Sequence, residues 1–105
     1  MKLRFTLTLV CACMFGSAFA AEVQIDQKDK QFSKKLVKIK VGDTVEFKNS
    51  DTVAHNIFSL SDVKSFDLGS YTPGQTKKVT FDKPGKVEVE CSIHPNMQMV
   101  IEVEK

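Results

Sequence analysis

The chain has 105 residues, of which 42% are hydrophobic and 27% charged, and its formal net charge is +2. This composition is typical of a globular protein and excludes a low-complexity or disordered chain. The length allows one domain in addition to a short leader.

Residues 1–20 differ in composition from the rest of the chain and predict a secretory signal peptide. Lys2 and Arg4 form a positive start, a long apolar stretch follows, and a small-x-small cleavage sequence ends at Ala20. We therefore predict export to the periplasm, cleavage after Ala20, and a mature domain of residues 21–105.

Two other interpretations of this leader remain. A retained membrane anchor is disfavoured, because an uncharged stretch of about fifteen residues is shorter than the roughly 20 residues that a spanning helix needs. Residues 10–13, with the sequence VCAC, loosely resemble a lipobox, so a lipoprotein signal is the second alternative. Neither interpretation predicts a membrane span in the mature chain.

Removal of the leader changes two counts. Loss of Lys2 and Arg4 reduces the basic residues from 15 to 13, against 13 acidic residues, so the mature net charge is zero. A surface without basic surplus argues against nucleic-acid binding, which needs positive charge to neutralise phosphates. Cys11 and Cys13 also leave, so Cys91 has no cysteine partner in the mature chain, and it is either a buried apolar residue or a metal ligand.

After the leader, short alternating apolar and polar runs separated by turn-forming residues predict an all-β domain. Seven or eight such strands suit a two-sheet sandwich. Residues 27–31 are predicted to be a polar loop, with Phe32 closing one end of the core, and residues 60–71 to hold a helical turn or an irregular crossover. The residues predicted to face inward are Val23, Ile25, Val37, Ile39, Val41, Val45, Phe47, Val79, Phe81, Val87, Val89, Cys91, Met99, Ile101 and Val103.

Residues 91–97, with the sequence CSIHPNM, carry a thiol, an imidazole and a thioether at three-residue intervals, at Cys91, His94 and Met97. Sulfur and imidazole donors together favour copper, and two His and one Cys with a weak axial Met form the arrangement of one-electron copper sites. The second imidazole must come from His55, the other histidine of the chain. The fold must therefore bring two distant segments together.

Pro95 makes this loop short and stiff, because a proline restricts the preceding residue, here His94, to extended conformations. Ligands that are held in fixed positions reduce the rearrangement that accompanies electron transfer. We expect His94, at the end of the domain, to show its ring edge to water and to be the exit for the electron.

These features resemble the cupredoxins, the plastocyanin and azurin superfamily of type 1 (blue) copper proteins. The Cys-x-x-His-Pro-x-Met loop at residues 91–97 is most similar to amicyanin and to bacterial cupredoxins of the methylamine-utilisation type. The pair His55 and Asn56, the sequence FDLGSY at residues 66–71 and the sequence FDKPG at residues 81–85 fit the same group. The resemblance implies a Greek-key β-sandwich.

The resemblance also implies a ligand set for one copper ion. His55, Cys91 and His94 correspond to the equatorial ligands and Met97 to the axial ligand, and Asn56 would tie the two ligand segments together by hydrogen bonds. Relatives often carry an aromatic residue two positions before the cysteine, where this chain has a valine.

Met99 is the alternative axial ligand. Plastocyanin-like loops place the methionine five residues after the histidine, which is Met99 here, whereas amicyanin-like loops place it three residues after, which is Met97. We favour Met97, with Met99 in the core of the last strand. If both face the ion, the site is biased towards copper(I).

The predicted function is one-electron transfer by a monomer that is not an enzyme. Its donor and acceptor are redox proteins that dock near His94 and Pro95, without long-range charge steering. The lysines of residues 28–40 could form a docking patch, although a solvated outer face is the usual meaning of such charges. The alternatives are copper delivery, a zinc enzyme with a Cys and two His, and a metal-free sandwich.

Overall fold

The computed structural model describes residues 20–105, so the predicted signal peptide lies outside the described residues except for Ala20. The described residues form nine strands and no helix, which confirms the all-β prediction. No helix in this part of the chain is long and apolar enough to cross a membrane. In chain order the strands are β1 (Glu22–Lys28), β2 (Gln31–Phe32), β3 (Leu36–Lys40), β4 (Thr44–Asn49), β5 (His55–Leu60), β6 (Ser65–Tyr71), β7 (Thr76–Thr80), β8 (Gly85–Glu90) and β9 (Gln98–Glu104).

The strands form the two sheets of a sandwich, as predicted. One sheet has the order β2-β1-β4-β7 and the other the order β3-β9-β8-β5-β6. Both sheets are mixed, because β1 runs parallel to β4 and β3 runs parallel to β9, whereas the remaining neighbours are antiparallel. The strand orders also show that the chain passes repeatedly from one sheet to the other.

The core lies between the sheets and consists mainly of the residues that alternation placed inward. Val23 is only half-buried, and Val41 is 41% exposed because it follows the last residue of β3, where the chain turns away from the core. Ile57, Tyr71 and Met97 join the core. The predicted inner residues that are buried are Ile25, Phe32, Val37, Ile39, Val45, Phe47, Val79, Phe81, Val87, Val89, Cys91, Met99, Ile101 and Val103.

The polar loop predicted at residues 27–31 is mostly strand. β1 continues to Lys28, and a two-residue turn at Asp29 and Lys30 leads back into β2. Both turn residues have positive φ values, 54° and 57°, which match the primed turns that join antiparallel strands tightly. Gln27 is buried within β1, and its side-chain oxygen accepts a hydrogen bond from the hydroxyl of Tyr71.

The helical turn or irregular crossover predicted for residues 60–71 is mostly strand, because Leu60 ends β5 and residues 65–71 form β6. The pairing of β5 with β6 slips between Asn56 and Phe58, and Gly69 in the partner strand has a φ of 73°. Such a bulge breaks the period of two that identifies a strand in a sequence. β6 is also an edge strand, and all of its side chains except that of Tyr71 are exposed or only partly buried.

The predicted metal ligands lie at one end of the sandwich, where two strands of the same sheet separate. β5 and β8 pair in register at Phe58 and Glu90. His55 begins β5, and Cys91 directly follows β8. The gap between the two strands therefore opens at the level of these two side chains.

Candidate metal centre

Three potential metal ligands from the two distant segments meet at this end of the sandwich. One ligand atom from each of His55, Cys91 and His94 lies within 4.8 Å of the others. The Sγ of Cys91 is 3.8 Å from Nδ1 of His55, and Nδ1 of His94 is 3.1 Å from the same nitrogen. His55 and Cys91 are buried, whereas His94 is partly exposed.

These distances match ligands that share one metal ion. Bonds of about 2.0–2.1 Å to imidazole nitrogen and about 2.3 Å to thiolate, at angles of about 100–120°, separate two nitrogens by about 3.1–3.6 Å and a nitrogen from the sulfur by about 3.3–3.8 Å. The two Nδ1 lone pairs repel each other at 3.1 Å unless a proton or a cation lies between them. The donor set of one thiolate and two imidazoles suits copper.

Met97 lies directly across from Cys91. The backbone N–H of Cys91 donates to the carbonyl oxygen of Met97 at 3.3 Å, which continues the ladder between β8 and β9 by one step. The N–H of Met97 donates to the carbonyl of His94 at 2.9 Å and closes the loop. Met99 pairs with Val89, so it lies two residues further along the strand, about 6.7 Å deeper in the core.

Asn56 joins the two ligand segments. Its backbone N–H donates to Sγ of Cys91 at 3.5 Å, and its side-chain Nδ2 donates to the hydroxyl of Ser92 at 2.9 Å. The backbone N–H of Ser92 donates back to Oδ1 of Asn56 at 2.8 Å. The loop after β8 is therefore fastened to the start of β5 on both sides of the thiol group.

We expect Asn56→Ala to lower the free energy of unfolding by about 1–2 kcal/mol, because it removes both side-chain hydrogen bonds. Ser92→Ala should cost about half as much, because the Ser92 backbone bond to Asn56 remains. Urea unfolding of the metal-free variants measures both values. Since Ser92→Ala removes a bond that Asn56→Ala has already broken, the double variant should be no less stable than Asn56→Ala. Strictly additive losses would contradict this paired arrangement.

Asp51 is a contact of His55 that the sequence analysis missed. Its Oδ2 is 3.0 Å from Nε2 of His55 and also accepts the backbone N–H of Lys30 at 2.8 Å, while Oδ1 accepts the N–H of Thr52 at 2.9 Å. The bonds from Lys30, from His55 and then from Thr52 hold the pKa of the Asp51 carboxyl well below its usual range. An acid four residues before a ligand is a signal only in a helix, and this segment is a loop.

The loop around His94 exposes apolar side chains beside polar ones. Ile93 is 46% exposed and Pro95 is exposed, and they flank His94 in the loop. Val53, two residues before the other histidine, is also exposed. The rings of His55 and His94 meet edge to face with their centroids 4.8 Å apart, so the partly exposed ring contacts the fully buried one.

A β-sandwich that gathers two histidines and a cysteine at one end, with a buried methionine across from the cysteine, defines the class of single-ion type 1 copper proteins. Residues 19–104 match the family of copper binding proteins described as the plastocyanin/azurin family. The chain belongs to this family. The predicted family and the predicted copper cofactor are confirmed.

Among curated proteins, the chain is similar to the methylamine utilization protein MauL of Methylorubrum extorquens. The two are 34% identical over 68 residues, which cover 64% of this chain and 60% of MauL. The chain therefore spans less than two thirds of that relative's length.

Three solved structures share the fold. The copper-containing nitrite reductase NirK of Thermus scotoductus is 30% identical with a TM-score of 0.74, and the match covers 79% of this chain and 22% of the reductase. A purple cupredoxin of Nitrosopumilus maritimus is 26% identical with a TM-score of 0.71, and the match covers 78% of this chain and 99% of the cupredoxin. A reduced amicyanin variant is 26% identical with a TM-score of 0.72, covering 78% and 81% of the two chains.

Proposed function

We propose that this protein is an exported one-electron carrier whose single copper ion is held by His55, Cys91, His94 and Met97. The observation that carries the proposal is the convergence of two imidazoles and one thiol from two distant segments, within 4.8 Å, in a copper-binding family. When bound, copper supplies the Cu(II)/Cu(I) couple, so one electron is accepted from a reduced donor protein and passed to an oxidised acceptor protein. The chain itself makes and breaks no covalent bond of a substrate.

Met97 is proposed as the axial ligand because of its register. Directly opposed residues of an antiparallel pair have their Cβ atoms about 4.5–5.5 Å apart, which brings the thioether of Met97 near the sulfur of Cys91. Met99 faces the same interior but is opposite Val89. It is proposed as a core residue.

The proposed ligands are held by the fold and have little freedom to move when the charge of the ion changes. The backbone of Cys91 is bonded to Met97, its sulfur accepts the N–H of Asn56, and His55 is wholly enclosed. The thiolate is the form of cysteine that binds metal. Such rigidity suits a carrier, because little rearrangement accompanies each transfer.

His94 is the proposed exit for the electron. It is the partly exposed member of the group, and its two neighbours in the chain, Ile93 and Pro95, are exposed apolar residues. A small apolar surface suits brief contact with several redox proteins, and the zero net charge of the mature domain provides no steering. The similarity to MauL, named for methylamine utilization, and to an amicyanin solved in its reduced state supports redox proteins as partners.

Repeated oxidation and reduction tests the carrier function against copper delivery. A carrier should regain its visible colour after every cycle and keep its ion when the reduced protein is mixed with a copper(I) chelator. A mixture of oxidised and reduced protein should also show fast electron self-exchange in its NMR line widths. Complete transfer of the ion to the chelator at the first reduction, with no self-exchange, would instead establish copper delivery.

We further propose that residues 1–20 are removed on export and that the domain begins at Ala21. The backbone N–H of Ala21 donates to Oδ1 of Asp43 at 2.8 Å, and its carbonyl accepts the N–H of Thr44 at 3.0 Å. Two hydrogen bonds therefore fasten the first residue after the predicted cleavage site to the segment that begins β4. Cleavage there would turn this donor into an ammonium group, and a charge-assisted hydrogen bond is stronger than a neutral one.

A protein that begins at Ala21 should therefore have a Tm roughly 2–5 °C higher than one that retains Ala20. The bonds from Lys40 and Ala21 lower the pKa of Asp43, so this advantage should be complete at neutral pH and decline as the pH falls below the ordinary value of 3.8. Thermal unfolding of both forms at several pH values measures it. When both forms carry Asp43→Asn, their Tm values should be equal. A difference in Tm that persists in this pair would show that the advantage does not come from the bond between Ala21 and Asp43.

A further inference from the structure

We propose that Asp51 is a positioning residue of the metal site: its carboxylate orients the ring of His55 and makes that ring a stronger donor. The inference rests on the proposed ligation by His55. It assigns a role to a loop residue that is not itself a ligand.

The first observation is that the two ring nitrogens of His55 face different groups. Nε2 lies 3.0 Å from Oδ2 of Asp51, and Nδ1 lies 3.8 Å from Sγ of Cys91. An ionised carboxylate can only accept hydrogen bonds, so the proton of a neutral His55 ring must be on Nε2. The lone pair of Nδ1 is then free to bind metal, which is the tautomer that the site requires.

The second observation is that the carboxylate cannot easily turn away. Oδ2 also accepts the N–H of Lys30 and Oδ1 that of Thr52, while the backbone N–H of Asp51 donates to Oδ1 of Asn49 at 3.0 Å. Asn49 is itself fixed, since its Nδ2 donates to two backbone carbonyls, one of them that of Tyr71 at 3.1 Å. The Asp51 side chain is only 10% exposed. Its negative charge is thus fixed beside a fully buried ring.

The physical consequence concerns the preference between the two copper valences. A fixed negative partner raises the basicity of a ligating imidazole and stabilises the more highly charged ion more than the less charged one. Asp51 should therefore favour copper(II) and lower the reduction potential.

Asp51 also connects the ring of His55 to the opposite sheet, because its carboxylate accepts the N–H of Lys30 in the turn between β1 and β2.

Asp43 provides a matched control. Its carboxylate also accepts two backbone N–H groups, from Ala21 and Lys40, but it precedes β4 whereas Asp51 follows β4, so the two acids are about 20 Å apart. Asp51→Asn and Asp43→Asn remove the same charge and similar backbone bonds. Only the first changes the partner of His55.

The experiment compares these two variants as copper-loaded proteins. Asp51→Asn should lower copper(II) affinity roughly 10- to 100-fold, lower copper(I) affinity less, and so raise the reduction potential. Asp43→Asn should reduce stability while leaving the ratio of the two affinities and the potential at their wild-type values. If Asp51→Asn, like Asp43→Asn, left the ratio of the copper(II) and copper(I) affinities and the reduction potential at their wild-type values, the inference would be overturned. Asp51 would then have a purely structural role.

A measurement on the unsubstituted protein covers the case in which Asp51→Asn fails to fold. In the diamagnetic copper(I) form, ¹⁵N NMR should show Nε2 of His55 carrying a proton that exchanges slowly with water, because it is buried and hydrogen-bonded. An unprotonated Nε2 or a rapidly exchanging proton would overturn the positioning role. Failure of the unsubstituted protein to bind copper would instead contradict the proposed function.

Discussion

Replacing Cys91 with serine should abolish the intense visible band of the copper(II)-loaded protein while leaving the far-ultraviolet spectrum of a β-sandwich unchanged. The band requires charge transfer from a thiolate, and Cys91 is the one cysteine among the described residues. Serine has nearly the same shape but supplies no sulfur, so the buried position after β8 stays filled. Absorption and circular dichroism spectra of the two proteins check both parts of the expectation.

Val89→Ala is the matched control for this substitution. Val89 is buried on the inner face of β8, two residues before Cys91, and its truncation loosens the core without removing a proposed ligand. The visible band should survive in this variant. If Cys91→Ser kept the band, the proposed role of Cys91 as a ligand would be wrong.

Replacing Met97 with alanine should change the reduction potential and the retention of copper, whereas Met99→Ala should not. Both methionines are almost completely buried, at 1% and 2% exposure, so each truncation should cost about 2–5 kcal/mol of stability. Because the two variants should lose similar amounts of stability, a difference in reduction potential or copper retention between them must come from the metal site. Met97 is expected to act on the site because it lies across from Cys91.

Voltammetry and copper analysis after dialysis distinguish the two methionines. A larger effect of Met99→Ala would move the axial role to Met99. Equal effects would indicate that both thioethers reach the ion, as considered for a site biased towards copper(I). Urea unfolding of the metal-free variants checks that their losses of stability are comparable.

The sequence predicted the parts of the fold that depend on local alternation. Val87, Val89 and Cys91 alternate with glutamates, and all three are buried. The prediction was wrong where this period is interrupted: the bulge between β5 and β6 conceals a strand at residues 65–71. Val41 was predicted to face inward because it fits the alternation. It is exposed because β3 ends at the preceding residue.

The residues of the candidate site could be predicted because few side chains of the mature chain are suitable copper ligands. Two histidines and one mature cysteine left few alternatives, and the structure brings all three together. Asp51 and Ser92 were missed because acidic residues and serines are common in loops. Their contacts with His55 and Asn56 exist only once the chain has folded.

A copper(II) titration of the purified domain of residues 21–105, followed by visible absorption and electron paramagnetic resonance, tests the central claim most directly. We expect binding of a single ion by the group of His55, Cys91 and His94, with an intense visible band and a spectrum characteristic of a copper thiolate. Binding without the band, or no binding in a correctly folded domain, would contradict it.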